Sequence, residues 1–322
     1  VGLGYTDVNG EHKNIAGNST KPNEKSYASA VGIANTASGF KASTFGYNNT
    51  ASGRESSSFG YNNTASKDGA SSFGYNNKAN GRKSSSFGYE NTVSGTDSSS
   101  FGYRNIASKD SASSFGYRNT SSARESSSFG YQNTASKVST SAFGYNNTAN
   151  GEKTSAFGYD NTASGERASA FGHANTIGKL KDDASGKKVP DKNYGKNSLI
   201  FGTKYLVTGN SSGVFGVGEA NWNKTTKQYD YNFVNEGNNS YMIGNLNKIA
   251  SGSDDNFILG NNVDIRAGIT NSVVLGNDST SGGSNTVSVG SASLQRKIVN
   301  VGDGTISATS TDAITGKQLY SG

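Results

Sequence analysis

The sequence lacks several residue types on which common protein functions depend. Its 322 residues include no cysteine, which excludes disulfides, thiol catalysis and cysteine-ligated zinc. It has two prolines and no apolar run of about 18 residues, so neither a polyproline linker nor a membrane-spanning helix is expected. Leu, Ile, Val and Phe together make up about 17% of the chain, below the roughly 20% under which chains tend to be disordered. Composition alone therefore favours disorder.

Charge and the scarcity of histidine restrict the function further. The chain has 30 basic and 24 acidic residues, giving a net charge of +6, and the two signs are interleaved. A mild, dispersed excess of this kind favours solubility and does not indicate a nucleic-acid partner. The two histidines, His12 and His173, have no catalytic or metal-binding spacing around them. We therefore expect no enzyme activity, no cofactor and no metal.

A 14-residue repeat dominates what is present. The pair Phe-Gly recurs at this spacing in ten consecutive copies, with Ser two positions before each Phe and Asn four positions after it. Tyr stands two positions after the Phe in nine copies, and His173 takes its place in the tenth. The register extends back to Val31 and resumes at Phe201. The phenylalanines of the strict repeat are Phe45, Phe59, Phe73, Phe87, Phe101, Phe115, Phe129, Phe143, Phe157 and Phe171.

This period predicts a β-solenoid with two short strands per turn, because it is too short for a pair of helices or a propeller blade. Strand alternation places the Ser, Phe and Tyr of each copy on one side. The small residue before the Phe and the Gly after it are expected to point into the narrow interior. The Phe rings would then form an exposed apolar stripe, which soluble monomers rarely show. We therefore predict that the ten phenylalanines form the core of a homotrimer.

The remaining columns of the repeat have structural interpretations. Asn tolerates left-handed backbone and forms ladders between stacked strands, so the Asn column is predicted to stabilise the turns. The Tyr column is predicted to pack at the edge of the subunit interface.

Two interruptions of the register suggest loops that leave the rod. The interval from Phe171 to Phe201 has the length of two turns plus two residues, and the interval from Phe215 to Ile243 has the length of two turns but lacks the repeat. Loop insertions are predicted near 177–196 and 219–237. Loops on a rigid scaffold often recognise partners. The candidate receptor-binding residues are Trp222, Tyr229, Tyr231, Phe233, Lys187, Lys188 and Lys192.

Each group of candidates also has a simpler interpretation. The aromatic residues could pack on the roll or on a neighbouring chain instead of on a receptor. The lysines could belong to a solvated loop, or they could contact acidic glycans or an acidic protein surface.

The C-terminal segment resembles the neck of the YadA-like trimeric autotransporter adhesins. The family pattern is approximately R-Q-I-x-N-V-x-x-G followed by T-D-A-V-N-x-x-Q-L. The segments beginning at Asn271 and Asn285 are similar to the head repeat of that family, N-S-V-A-I-G. In the family two aliphatic residues occupy the inner strand, whereas here one Phe stands with one Ser. The matching neck positions are Arg296, Ile298, Asn300, Val301, Gly304, Thr311, Asp312, Ala313, Gln318 and Leu319.

The resemblance implies an all-β fold, with a left-handed parallel β-roll in each chain and three chains around one axis. Residues 1–295 would form the trimeric head, and residues 296–322 would form a neck that leads to a coiled-coil stalk. The predicted neck residues are Arg296, Asn300, Asp312 and Gln318. Family members continue to an outer-membrane β-barrel anchor. Because stalk and anchor are expected to lie outside this sequence, membrane contact is expected only through them, with the head on the bacterial cell surface.

The function implied by the resemblance is attachment to a host surface protein. The Lys-, Asn- and Ser-rich composition is similar to that of heads from low-GC anaerobes such as fusobacteria, which makes a receptor of the carcinoembryonic-antigen-related (CEACAM) type the first candidate. Collagen or fibronectin of the extracellular matrix is the alternative. From another class, an ice-binding or purely structural solenoid stays open, since eight of the ten copies carry Thr five positions after the Phe.

Overall fold

A computed structural model describes residues 3–4, 13–17, 27–185 and 188–321. Within these residues the chain is a parallel β-solenoid with 14-residue repeats, and its two long sheets contain 18 and 16 strands. No helix in the described part of the chain is long and apolar enough to cross a membrane. The predicted all-β parallel roll is therefore confirmed for the single chain.

Each turn contributes one strand to each long sheet. In the strict repeats the first strand spans five residues from Ser to Tyr, and the Phe of each turn pairs with the Phe of the next, as Phe101 does with Phe115. The first sheet consists of Leu3–Gly4, Ser29–Ile33, Ser43–Tyr47, Ser57–Tyr61, Ser71–Tyr75, Ser85–Tyr89, Ser99–Tyr103, Ser113–Tyr117, Ser127–Tyr131, Ser141–Tyr145, Ser155–Tyr159, Ser169–His173, Leu199–Thr203, Gly213–Val217, Tyr241–Ile243, Phe257–Leu259, Val273–Leu275 and Val287–Ser288.

The second sheet is built from strands of two residues, in which the first side chain points out and the second points in. Thr50, for example, is partly exposed, whereas Ala51 is fully buried. The second sheet consists of Ile15–Ala16, Thr36–Ala37, Thr50–Ala51, Thr64–Ala65, Lys78–Ala79, Thr92–Val93, Ile106–Ala107, Thr120–Ser121, Thr134–Ala135, Thr148–Ala149, Thr162–Ala163, Thr176–Ile177, Leu206–Val207, Val234–Asn235, Lys248–Ile249 and Asp264–Ile265.

Two antiparallel hairpins and one short helix complete the described elements. The first hairpin pairs Leu180–Asp182 with Lys188–Pro190, and the second pairs Ala220–Asn223 with Gln228–Tyr231. The helix Gly316–Tyr320 begins with a capping box at Thr315.

The interior of the roll is narrow and holds small side chains over the strict repeats. The residue before each Phe is buried, and it is Ser, Thr or Ala in every copy. The two sheets approach so closely that Ser121 of the second sheet lies 2.6 Å from Ser128 of the first, measured between hydroxyl oxygens. The Phe side chains therefore point away from the interior. Their rings stack turn upon turn, with centroids 4.6–5.1 Å apart from Phe73 to Phe201.

The expectation that the Gly after each Phe points inward is wrong. Gly60 is exposed and has a φ of +118°, so the backbone departs from strand alternation at this column. A Cβ on Gly60 would lie 2.1 Å from the carbonyl oxygen of Gly74. The column therefore requires glycine because adjacent turns approach each other through their backbones.

The Asn column forms the predicted ladder. The Asn63 side-chain oxygen accepts hydrogen bonds from both the backbone N–H and the side-chain amide of Asn77, each at 3.0 Å. The Asn63 amide donates to the carbonyl of Phe59 at 3.0 Å and to that of Gly74 at 2.6 Å. This pattern continues from Asn35 to Asn175. Left-handed backbone, however, occurs one position earlier, at the residue before each ladder Asn.

Both interruptions are single turns that carry an insertion. Phe171 pairs directly with Phe201, so this interval is one turn with a long insertion. Phe215 likewise pairs directly with Ile243. The inserted residues form the two hairpins outside the roll, whose own strands continue without a gap.

Candidate functional site

The second hairpin folds back over the outer face of the second sheet. Trp222 pairs with Tyr229, and Ala220 pairs with Tyr231. Directly paired residues of antiparallel strands share a face, so these four side chains lie on one side of the hairpin. That side faces the roll, because the Tyr231 hydroxyl lies 2.7 Å from the Thr176 hydroxyl on the outside of the second sheet.

Two tyrosine hydroxyls attach the hairpin to earlier turns. Tyr231 donates a hydrogen bond to the carbonyl oxygen of Ala174 at 2.9 Å. Tyr229 donates to the Asp160 carboxylate, also at 2.9 Å. Burial raises the pKa of Tyr229 and of Tyr231 well above the usual value. Both phenols are therefore protonated donors at physiological pH, and they hold the hairpin against a rigid support.

Trp222 lines a cleft between this hairpin and the roll. Its side chain is 46% exposed, and its ring meets the Tyr229 ring edge-on with centroids 5.0 Å apart. The cleft has a volume of about 390 Å³. Its floor consists of outward side chains of the second sheet from three successive turns, namely Thr148, Thr162 and Thr176.

The first hairpin closes the cleft from the other side. Lys179 and Leu180, at its base, line the cleft. The Lys179 ammonium lies 3.7 Å from a Glu236 carboxylate oxygen and 4.5 Å from the centroid of the Tyr194 ring. The two insertions, which are distant in the chain, therefore flank one recess.

None of the three lysines predicted as receptor-binding residues in the first insertion is among the described residues that line the cleft. Lys192 is exposed and does not line the cleft. Lys188 contributes its backbone to the strand Lys188–Pro190. Lys187 lies outside the described residues. Their role in receptor binding stays a prediction.

Phe233 belongs to the roll rather than to the hairpin surface. It packs against the apolar interior, and the Lys248 ammonium lies 5.2 Å from its ring centroid. Phe233 takes a position in the Asn column, as Tyr205 does in the preceding turn. The buried Tyr205 hydroxyl accepts a hydrogen bond from the Asn247 backbone N–H at 2.9 Å. Tyr205 thus connects the ladder across the turn that contains Phe233, and its burial raises its pKa to about 12.

Sequence reasoning missed most of the residues that line the cleft. Asp160, Thr162 and Lys179 come from turns far from the aromatic segment, so no local pattern associates them with it. One signal was present: Tyr229, Tyr231 and Phe233 alternate with polar residues, which is typical of a strand with one apolar face.

The Phe column remains on the surface of the single chain. Phe45 is 61% exposed and Phe215 is 63% exposed, while the Phe rings between them are partly covered by stacking on one another. The Tyr column runs alongside, with ring centroids 4.7–5.2 Å apart from Tyr47 to Tyr159. Two adjacent aromatic stripes therefore extend along the first sheet. The assignment of the Phe column to a trimer core stays a prediction at this point.

Arg296 connects the predicted neck to the last turns of the roll. One guanidinium nitrogen donates to the Ser279 hydroxyl at 2.7 Å and to the Val289 carbonyl at 2.9 Å. The other donates to the Asn277 carbonyl at 2.6 Å. A planar side chain with several donors suits this arrangement of acceptors.

Two other predicted neck residues, Gln318 and Asp312, stabilise a polar fold-back at the C-terminal end. The Gln318 amide bonds both the N–H and the C=O of Gly304, at 2.9 and 2.6 Å. Asp312 accepts a hydrogen bond from the Thr305 N–H at 3.0 Å, which holds the pKa of that carboxyl below its usual value. Asn300 is exposed with a left-handed φ of 60°. Several apolar residues stay exposed here: Ile298, Val299, Val301, Ile306, Ile314, Leu319 and Tyr320.

Two protein-family models match the chain. The coiled stalk of trimeric autotransporter adhesins matches residues 297–322. No curated protein matches the sequence. The YadA head domain repeat, a unit of two copies, matches 37–63, 51–77, 65–91, 79–105, 94–119, 121–147, 135–161 and 149–175.

These matches cover the strict repeats and the segment after Arg296, and the fold between them is one continuous parallel roll. The head repeats and stalk of this family imply a homotrimer and an extracellular location on the cell surface. The chain therefore belongs to the YadA-like trimeric autotransporter adhesins and forms a head of that family.

Proposed function

We propose that this adhesin head attaches the bacterium to a folded host surface protein through the hairpin surface around the cleft. The observation that supports this is the meeting of two insertions on one face of an otherwise regular rod. A CEACAM-family receptor is the first candidate, and collagen or fibronectin is the second. An irregular surface with an exposed Trp favours one folded domain, whereas repetitive matrix proteins would suit the regular columns.

We further propose that the Phe column lies at the threefold axis, with attachment to the outer membrane through a C-terminal anchor. Burying a ring such as Phe101 between subunits contributes about 1.5–3 kcal/mol. The Phe column lies outside the first sheet, and the hairpins lie outside the second. Trimerisation through the first sheet would therefore leave the cleft accessible on the outside of the head.

The ice-binding alternative is less well supported. The row of outward threonines on the second sheet is interrupted at Lys78 and Ile106. The second hairpin covers the end of the row at Thr176. An extended flat face is therefore missing along the described part of that sheet.

The test of the receptor proposal uses two excisions that keep the roll intact. The Asn232 N–H donates to the Glu219 carbonyl at 3.0 Å, so the second hairpin closes at its base. Removing residues 219–232 restores a turn of the length found in the strict repeats and keeps Val234 and Asn235 in the second sheet. Removing residues 179–194 joins Gly178 to Gly195, which are already adjacent, and provides the matched control.

Binding to immobilised receptor ectodomains would be measured by surface plasmon resonance, with trimer mass checked by light scattering. We expect excision of 219–232 to abolish binding, because the exposed Trp is lost. Excision of 179–194 should weaken binding less, because it removes only one wall of the cleft. Undiminished binding by both trimeric variants would contradict the proposal and transfer the contact to the repeat columns.

A further inference from the structure

We propose that the cleft between the hairpins binds a carboxylate-bearing monosaccharide at the end of a host-cell glycan. This inference rests on the proposed function, since it names the chemistry that the same surface recognises. The size of the cleft, its exposed aromatic ring and the charges around it support this inference.

The size and lining suit one polar ring. A volume of about 390 Å³ lies near the lower end of the range of small-ligand sites. The floor presents hydroxyl groups from Thr148 and Thr162, and Gln228 adds an amide at the rim. Hydroxyls and amides can both donate and accept hydrogen bonds, as the hydroxyl groups of a sugar require.

Trp222 provides the apolar contact that sugar recognition needs. A pyranose ring presents C–H groups on one face, and these pack against the flat face of an indole. Trp222 is 46% exposed although its neighbour Tyr229 is held in place by Asp160. Because this aromatic side chain is already held on the hairpin and is half exposed, it can contact a ligand with little further loss of conformational entropy.

Two of the three charged side chains that line the cleft, Lys179 and Lys227, are positive, and the oxygens of the third, Asp160, are already engaged. The Asp160 carboxylate already accepts hydrogen bonds from the Tyr229 hydroxyl and the Asn146 amide. Lys227 lines the cleft and has no carboxylate within 4.0 Å among the described residues. The Lys179 ammonium is paired with the Glu236 carboxylate, but at 3.7 Å the two groups are too far apart for a hydrogen bond. An anionic group on the ligand would therefore meet an available ammonium, which favours an acidic sugar over a neutral one.

The chain offers a direct readout, because Trp222 is its only tryptophan. The trimer would be titrated with N-acetylneuraminic acid and with glucuronic acid, and with galactose and N-acetylglucosamine as neutral sugars. We expect a saturable change in Trp fluorescence with at least one acidic sugar at concentrations on the order of 10 mM or below. The two acidic arms distinguish a sialylated glycan from a uronate-containing one.

Two lysines of the same hairpin turn supply the matched variants. Lys227→Gln should weaken binding of the acidic sugar about tenfold, because it removes a charge-assisted hydrogen bond. Lys224→Gln should leave it unchanged, since Lys224 is exposed three residues away and does not line the cleft. The inference is overturned by any of three results: no saturable signal with either acid, equal affinity for neutral sugars, or equal effects of the two substitutions.

A receptor ectodomain with and without enzymatic removal of its glycans separates this inference from the proposed function. Loss of binding after deglycosylation, together with sensitivity to Lys227→Gln, supports both. Full binding by the deglycosylated receptor, combined with a negative sugar titration, overturns the glycan inference and leaves the receptor proposal standing. A positive titration without binding to any receptor protein supports the glycan site and removes the protein receptor.

Discussion

The strict repeats and the C-terminal turns fill the interior of the roll with different side chains. Over residues 43–177 the interior is filled mainly by Ser and Ala, whereas after residue 199 it is filled by larger residues such as Ile200, Met242 and Ile258. The largest apolar cluster of the interior runs from Ala135 to Val274, and most of its large side chains belong to the C-terminal turns. Among the described residues, the buried Asn column is unbroken only through the strict part, up to Asn175. The strict repeats thus depend more on hydrogen bonds, and the later turns depend more on apolar burial.

The outer face of the first sheet changes in parallel with the interior. In the strict turns a Ser and a Phe point outward, as Ser99 and Phe101 do, whereas a C-terminal turn presents two apolar residues, such as Phe257 and Leu259. Two of the later turns are also longer than the strict ones, because Leu259 pairs with Ile243 before it and with Leu275 after it, each 16 residues away. The turn from Phe201 to Phe215 keeps the 14-residue length although Tyr205 is buried in it, so larger interior side chains do not require a longer turn.

The comparison also explains where insertions are tolerated. Both hairpins leave the roll at corners between the two sheets, where no strand pairing is lost. The second insertion replaces a ladder Asn with Phe233, and the long side chain of Tyr205 restores the connection to Asn247. Turns with a large interior can accommodate such a ring. The strict turns, whose interior holds mainly Ser and Ala, leave less room for one.

The largest expected effect comes from placing charge in the Phe column of the strict part. Phe101→Asp combined with Phe115→Asp should dissociate the trimer, because each subunit would bury two unpaired carboxylates at the axis. The molar mass by light scattering should fall from that of three chains to that of one. Thr120→Asp combined with Thr134→Asp, on adjacent turns of the opposite face, is the control and should remain trimeric. An unchanged mass for the Phe variant would contradict the proposed core.

The next prediction compares the loss of stability when either of two neighbouring asparagines is replaced. Asn63 is fully buried in the ladder, whereas Asn62 is exposed and left-handed. Asn63→Ala should destabilise the head by about 3 kcal/mol or more, because several buried partners lose their hydrogen bonds. Asn62→Gly should cost less than about 0.5 kcal/mol, since glycine keeps the backbone conformation. Guanidinium denaturation followed by circular dichroism measures both, and equal midpoints would show that the ladder contributes little.

A smaller effect is expected where the ladder passes through an aromatic residue. Tyr205→Phe keeps the ring but leaves the buried Asn247 N–H without its acceptor, which should cost about 1–2 kcal/mol. The matched change Tyr103→Phe, in the stacked outer column, should alter stability by less than about 0.5 kcal/mol. Thermal unfolding of the two variants tests this difference. Identical melting curves would mean that the Tyr205 hydroxyl does not connect the turns.

The regular part of the molecule was predictable from the sequence, because every turn repeats the same residue types at the same positions. The spacing of Phe101 and Phe115 predicted the pairing, and the constant Asn predicted the ladder. The orientation of Gly60 was not predictable from alternation, since its positive φ reverses the pattern locally. The cleft was not predictable either. Its walls come from separate insertions, and contacts such as that between Tyr229 and Asp160 depend on how the hairpin folds back over earlier turns.

The smallest effect tests whether the polar interior of the strict turns is fully satisfied. The Ser100 hydroxyl is buried without a hydrogen-bond partner in the described structure, whereas the Ser114 hydroxyl donates to the Asn119 carbonyl at 2.8 Å. Ser100→Ala should therefore stabilise the head by up to about 1 kcal/mol, because an uncompensated buried hydroxyl is removed. Ser114→Ala should destabilise it by about 1 kcal/mol, because a hydrogen bond is lost. Opposite shifts of the denaturation midpoint are expected, and shifts of the same sign would mean that hydrogen bonding does not distinguish the two sites.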